Sequence, residues 1–543
     1  MGFISASSHF TFTYDEFIID RIFIQYYAFE DTAEHRRDLA MIDVESKRVR
    51  WAFIFSILLG ILFKMLFTEF MLGVSYPLYL TAMYLIFLYF FQPDVAWQSS
   101  FGWFLSIPMF LLSLMFAIYE QPAFRLINFL LIPCLWILHT LLITNRRLEK
   151  TGLLDNLFFI IDLLLLRYLC SIGTPFKLCT AWLKQQGNPQ TLGQLGKVVI
   201  GLLISIPIFL IVVPLLTSAD SLFRQFIITM PTWSGLLSIS GWFINIVVVL
   251  VSGIGFFVYL VALATQQKEQ LVEPIALPQE SSHDQSKIGY LDFTVGVTIL
   301  LVCNVLYVVF VGFQVSYLFM GANGLPDGVS YAEYAQNGFY ELVKVSFFNL
   351  LLLLLSLHFI KGDTLLKKRI INLLLTVLTI STLVMLYSAH VRLQLYEEAY
   401  GFTFQRIIAH LAMGCLLIAC GVTLYQIRKR TLPLIKVFIM IGLCAYTLIN
   451  VINIEHWIVK LNIERYQAIK KIDIDYLTTL SLDAIPTLAA YAESEPELRE
   501  KVSRILASYS VDDESNKHTS WSSFVWSRYR ANQILHEYVE NEL

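Results

Sequence analysis

Three stretches of this chain combine ionisable, amide and aromatic side chains at spacings that a helix brings to one face. The first spans 330–344 and holds Glu333, Tyr334, Glu341 and Lys344. Glu341 and Lys344 are three apart, close enough on a helix surface to pair; the same groups could instead bind an ion or polar ligand. The second spans 388–410 and holds His390, Arg392, Tyr396, Glu397, Arg406 and His410. Arg406 and His410 share a face by their i, i+4 spacing. His410 is the deeper, roughly 10 Å below its helix start, where a charged form costs about 2 to 3 kcal/mol. A neutral, hydrogen-bonded imidazole avoids that cost, and a proton relay or ligand contact is the functional alternative. The third stretch spans 450–466 and supplies Asn453, Asn462, Glu464, Arg465 and Tyr466.

Metal chemistry has donors here but no pattern. His390, His410, Glu397, Glu398 and His456 are suitable ligands if their helices converge, yet none falls in the His-Glu-x-x-His spacing of a zinc enzyme. No metal and no cofactor is expected. Glu397 or Glu333 could serve as a general base on a lipid-linked substrate, but no nucleophile, base and orienting group occur as a set. Asp220 reads as the cap of a short helix. The seven cysteines lack paired spacing and read as packing residues.

Helices in a membrane must position these groups. Of 543 residues, 57% are hydrophobic and 15% charged, well below the roughly 25% charge of soluble domains. A net charge of -3 without a basic stripe argues against nucleic acid as a partner. About eleven apolar runs are long enough to cross a bilayer, at 51–70, 74–91, 101–119, 126–143, 198–216, 236–264, 291–319, 339–360, 370–389, 404–425 and 432–451. The expected fold is therefore all-α and polytopic, with the lipid bilayer as its first partner.

Orientation follows from Lys and Arg, which are retained on the cytoplasmic side. Arg36, Arg37, Lys47, Arg48 and Arg50 precede the first run and place the N-terminus inside. Counting forward puts Arg146, Arg147 and Lys150, then Lys361 to Arg369, then Arg428 to Lys436 inside as well. An odd number of crossings carries the C-terminus outside. The segment 153–169, with Asp155, Asp162 and Arg167 among apolar residues, reads as an amphipathic helix in the inner interface. The resulting organisation is a cytoplasmic arm (1–50), a first helix group (51–264), a flexible Gln, Glu, Pro and Ser-rich linker (265–290), a second helix group (291–453) and an extracytoplasmic helical region (454–543). In that last region Trp521 and Trp526 are expected as aromatic anchors.

Several short patterns resemble the bacterial membrane family known as domain of unknown function 4173, related to family 4153. They are Tyr331-Ala332-Glu333-Tyr334 with Gly338-Phe339 and Glu341-Leu342, Arg392-Leu393 with Tyr396-Glu397 and Tyr400-Gly401, and Asn462-Ile463-Glu464-Arg465-Tyr466. Leu480-Ser481 with Asp483-Ala484-Ile485-Pro486, and Ser527-Arg528, extend the resemblance over 51–543. Ile454-Glu455 departs from the Pro-Asp expected there. The resemblance implies a multi-pass bacterial plasma-membrane protein and no particular activity. Three functions are therefore carried forward. The first is a non-catalytic sensing or scaffolding protein that binds an envelope protein or a lipid at its outer face. The second is a secondary transporter or lipid-handling protein with an outward polar cavity around Glu341, Arg406 and His410. The third is a membrane enzyme on a lipid-linked substrate.

Overall fold

A chain in hydrocarbon must satisfy its own N–H and C=O groups, so long apolar runs become helices. The computed structural model describes residues 47–67, 72–92, 95, 97, 100–144, 160–175, 177–178, 233–272, 292–320, 331–360, 363–494, 496–510 and 521–542. Among them the regular elements are all helical. The first five are α1 (Lys47–Leu66), α2 (Ser75–Phe91), α3 (Ser100–Ile118), α4 (Pro122–Thr144) and α5 (Trp233–Val272). Then come α6 (Phe293–Met320), α7 (Tyr331–Phe359), α8 (Leu365–Tyr400), α9 (Phe404–Lys429) and α10 (Leu434–Val451). The C-terminal region adds α11 (Ile454–Ile469), α12 (Ile474–Thr478), α13 (Ile485–Ser494), α14 (Pro496–Ser510) and α15 (Trp526–Glu542).

Among the described residues nine helices, α1 and α3 to α10, are long and apolar enough to cross a membrane, and α2 is a shorter apolar helix. The chain is an all-α, multi-pass membrane protein. The expected crossing at 198–216, the Asp220 cap, residues 1–46 and the linker beyond Val272 lie outside the described residues.

Two boundaries differ from expectation. Lys47 to Arg50, assigned to the arm, form the first turn of α1. Helix α5 runs past residue 264 to Val272, because Gln266 to Leu271 are all good helix formers. The segment 153–169 is described from residue 160 onward, as a π-helix (Asp162–Arg167) followed by a short α-helix (Tyr168–Ser171), both packed against α5.

The chain divides into two compact units. The first draws on 1–65, 82–96 and 141–280 and is organised by α1 and α5. Gly60 and Gly253 let these two backbones touch. A Cβ on Gly253 would sit 2.6 Å from the Ser56 carbonyl oxygen, and one on Gly60 would strike the Val249 carbonyl. Small residues of this kind allow close packing of membrane helices. Phe53 meets Phe257 edge to face at 5.1 Å across the same contact.

The second unit draws on 66–81, 97–140 and 281–543 and has two apolar cores. One lies among α6 to α9, on Leu300, Leu353, Leu375, Leu378, Met385 and Met413. Polar groups there are tied between helices. Asn349 Nδ2 donates to Thr382 Oγ1 at 3.1 Å, and Asn304 Nδ2 to the Leu374 carbonyl at 3.1 Å. Gln314 Oε1 accepts from Ser388 Oγ at 2.7 Å and from Arg392 at 3.1 Å.

The other core belongs to α11–α15, which fold into a helical cap on Ile458, Val459, Ile463, Leu477, Ile485 and Leu488. Phe124 of α4 and Ile449 of α10 belong to the same cluster, so the cap's interior continues into the ends of membrane helices. Side-chain caps set its turns: Asn453 accepts the His456 N–H at 3.0 Å to start α11, and Asp473 the Tyr476 N–H at 3.0 Å to start α12. Ser481 opens the 3-10 turn Leu482–Ala484 by accepting the Asp483 N–H at 3.2 Å.

Candidate functional site

Helix α8 ends where Gly401 adopts φ +85°, a conformation L side chains rarely take. A Cβ on Gly401 would also collide with Asn462 Oδ1. Around this turn three side chains collect backbone groups. Arg406 donates to the Gly401 carbonyl and lies 4.0 Å above the Tyr396 ring. Asn462 clasps Phe402 from both sides, Nδ2 donating to its carbonyl at 2.7 Å and Oδ1 accepting its N–H at 3.0 Å. Arg465 donates to the carbonyls of Glu398 (2.9 Å), Ala399 (2.6 Å) and Lys471 (3.0 Å), so the C-terminal carbonyls of α8 are capped from α11. Tyr476 accepts the Phe404 N–H at 2.8 Å and holds the start of α9 to α12.

One turn deeper, His410 Nε2 lies 2.9 Å from Glu397 Oε2. The Glu397 side chain is 4% exposed and that of His410 31%. Glu397 Oε1 is buried with no hydrogen-bond partner among the described residues. The His390 ring stands 5.2 Å from the His410 ring, edge to face. This is an imidazole and carboxylate cluster with a buried carboxylate and a partly exposed imidazole.

A second polar cluster joins the cap to the turn between α3 and α4. Asp483, buried in the cap, accepts the N–H groups of Glu120 and Gln121 at 3.0 Å, satisfying donors of the turn that leads into α4. Arg528 forms a two-pronged ion pair with Glu120. Arg125 donates to the Tyr119 carbonyl at 3.2 Å and to the Leu72 carbonyl. The Val74 N–H donates to the Phe524 carbonyl at 3.1 Å, which fastens the start of α2 to the cap as well.

Glu455 lies beside Asp483 and is 2% exposed. Its Oε2 accepts the Ser481 N–H (2.9 Å) and hydroxyl (2.7 Å). Burial pushes the Glu455 carboxyl up to about 7; the Ser481 hydroxyl bond pulls against this and the charge of Asp483 adds to it. Burial also raises Asp483, against the hydrogen bond from the Gln121 N–H. Between these groups lies a cavity of about 20 Å³, lined by Arg125, Asn128, Asn450, Asn453, Glu455 and Asp483 among others. That is room for about one water molecule, far from the several hundred Å³ of a small-molecule pocket.

The structure thus gathers His390, Tyr396, Glu397, Arg406, His410, Asn462 and Arg465 around one turn, with Asn453 in the adjoining cluster, where its Nδ2 donates to the Asp483 carbonyl at 3.0 Å. Arg392 is directed to Gln314 instead. Tyr466 packs into the cap core beneath Lys501, 4.6 Å from its ring, and Glu464 makes only a surface pair with Lys460 at 4.0 Å. Glu341 and Lys344 share a face of α7 but are both exposed, and no ion pair joins them. The side chains of Glu333 and Tyr334 lie outside the described residues.

Sequence reading missed Glu120 and Arg125, and it saw Glu455, Asp483 and Arg528 only as parts of motifs. Their signal is weak because each partner lies far away in the chain. The run of Ser481 and Asp483 before Pro486 is the one local hint of capping.

Among the described residues no three His, Cys, Asp or Glu side chains come close enough to hold a metal ion together. No curated protein and no solved structure matches this chain. The resemblance of the short motifs to family 4173 is corrected by a match across 106–491, which falls on the related family 4153 instead. That span runs from within α3, through the Glu120 turn and the Gly401 turn, to Asp483 and α13. With most of its membrane helices and both the Glu120 and the Gly401 turns inside the match, this chain belongs to the family described as domain of unknown function (DUF4153).

Proposed function

We propose that this is a non-catalytic protein of the bacterial plasma membrane whose cap is a rigid outward platform for an envelope protein or lipid. The observation that carries the reading is the use made of the polar residues. Arg406, Asn462 and Arg465 bond to the backbone of 398–402, and Asp483 to that of 120–121. Groups engaged in this way fix a surface in place and leave, at the second cluster, a cavity of about 20 Å³. The basic clusters at the opposite ends of α8 and α9 support an outward cap by the charge rule. Exposed Trp457, Trp521 and Trp526 give the platform aromatic contact residues.

A transport reading has one observation in its favour, Glu397 Oε1, unpartnered among the described residues, beside His410 and His390. A single set of experiments separates the two. On the platform reading, a reporter active only outside the cytoplasm is active when fused after Leu543, and Trp526→Ala with Trp457→Ala reduces photo-crosslinking to envelope components at unchanged expression. Glu397→Gln should then leave proton flux into reconstituted vesicles unchanged. Reporter activity confined to the cytoplasm, or a proton flux abolished by Glu397→Gln, removes the platform reading.

A further inference from the structure

We propose that Glu455 is a proton-binding site, and that its protonation sets how firmly the cap grips the turn between α3 and α4. The geometry makes it one. The carboxylate is almost wholly enclosed, yet only Oε2 has hydrogen-bond partners among the described residues, both on Ser481. The other oxygen has none among them, and Glu455 lines a small cavity with Asn128, Asn450 and Asn453. An oxygen without a donor in such a place is suited to carry a proton, which an amide oxygen or a water molecule can accept in a hydrogen bond.

The charges around it say why the proton matters. Facing Glu455 across the cavity are Asp483 and, from α4, Arg125. With Glu455 ionised the cavity wall holds two carboxylates against one guanidinium; with it protonated, one against one. Tyr119 also lines the cavity, and Tyr476 of α12 and Tyr509 of α14 interact electrostatically with Glu455. Burial raises all three phenols, so they stay neutral and add no further negative charge. His456, the next residue on α11, is turned toward Thr487, with Nδ1 2.8 Å from its hydroxyl oxygen. Glu120 is occupied by Arg528.

The link to the grip is Ser481. Its hydroxyl donates to Glu455 and accepts from the N–H of Asp483, whose carboxylate in turn holds the N–H groups of Glu120 and Gln121. The Ser481 hydrogen bonds favour the ionised form, but burial is the larger effect and favours the acid. The folded-state value is raised above the unfolded one, so the proton's contribution is complete below about 4.5 and is lost as pH rises through about 7. On the orientation proposed above, the proton would come from outside the cytoplasm. The test below uses purified protein, which has no sides, so its failure is separate from a failure of that orientation.

Full-length protein in detergent micelles is titrated from about pH 5.5 to about pH 8.5, following both its thermal midpoint and its carboxylic-acid infrared band. The wild type should lose thermal stability as pH rises through neutrality, and a protonated-carboxyl band should fade over the same range. Glu455→Gln, which keeps the shape and removes the charge, should abolish that band and hold the acid-side midpoint across the range. A Glu455→Gln protein with the wild-type slope overturns the proposal. So does a wild-type spectrum with no band that Glu455→Gln removes, a result that needs no variant stability.

Discussion

Gly401 is the residue on which the turn between α8 and α9 depends, because its positive φ and the proximity of Asn462 independently exclude a side chain. Gly401→Ala should lower stability by about 1 to 3 kcal/mol through backbone strain alone, read as a reduced thermal midpoint in detergent. Asn462→Ala removes the collision but also the clasp on Phe402, so the double variant, compared with Asn462→Ala alone, should still lose stability through the strain; equal stability of the two would locate the whole effect in the collision. At this scale the sequence was informative only over short distances. The i, i+4 spacing of Arg406 and His410 does put both on α9, but their partners, the Gly401 carbonyl and Glu397, follow from how the chain reverses at Gly401. The spacing of Glu341 and Lys344 permits a pair that the exposed face of α7 does not make.

Among elements, the cap is held to the membrane helices by donors and acceptors at helix ends. Arg465 is the clearest example, reaching from α11 to the last carbonyls of α8 and also to Lys471 at the end of its own helix. Arg465→Lys keeps the charge and loses the fork, so it should destabilise by about 1 to 2 kcal/mol, close to Arg465→Ala. Equal stability of wild type and Arg465→Lys in chemical denaturation would show that charge, rather than geometry, carries the contact. The membrane helices were readable from apolar run length, whereas the stapling of their ends was not. Hydropathy records what a segment avoids, and carries no information about which distant side chain will satisfy a terminal N–H or carbonyl.

For the whole molecule, the common core of the cap, Phe124 and Ile449 has a direct consequence. Deleting 454–543 uncovers those two residues and leaves the Glu120 and Gln121 N–H groups without their acceptor. The truncated chain should give little or no monodisperse peak in size-exclusion chromatography after detergent extraction; a wild-type profile would show that the membrane helices stand without the cap. The division of the chain into regions at 264 and 454 follows composition. Compactness instead brings 97–140 together with 281–543, because burial of the cap's interior rewards contacts that sequence order does not announce.

The bonds from Glu120 and Gln121 to Asp483 join residues more than 360 positions apart. A ribosome adding about 5 to 20 residues per second makes that turn roughly 20 to 70 s before it makes the carboxylate that completes it. For that interval the two N–H groups just ahead of α4 have to wait on water, lipid headgroups or a chaperone for their missing acceptor. The last fifth of the protein then closes a structure that began near its start, so a stalled or clipped chain betrays itself by an unfinished turn far from the break.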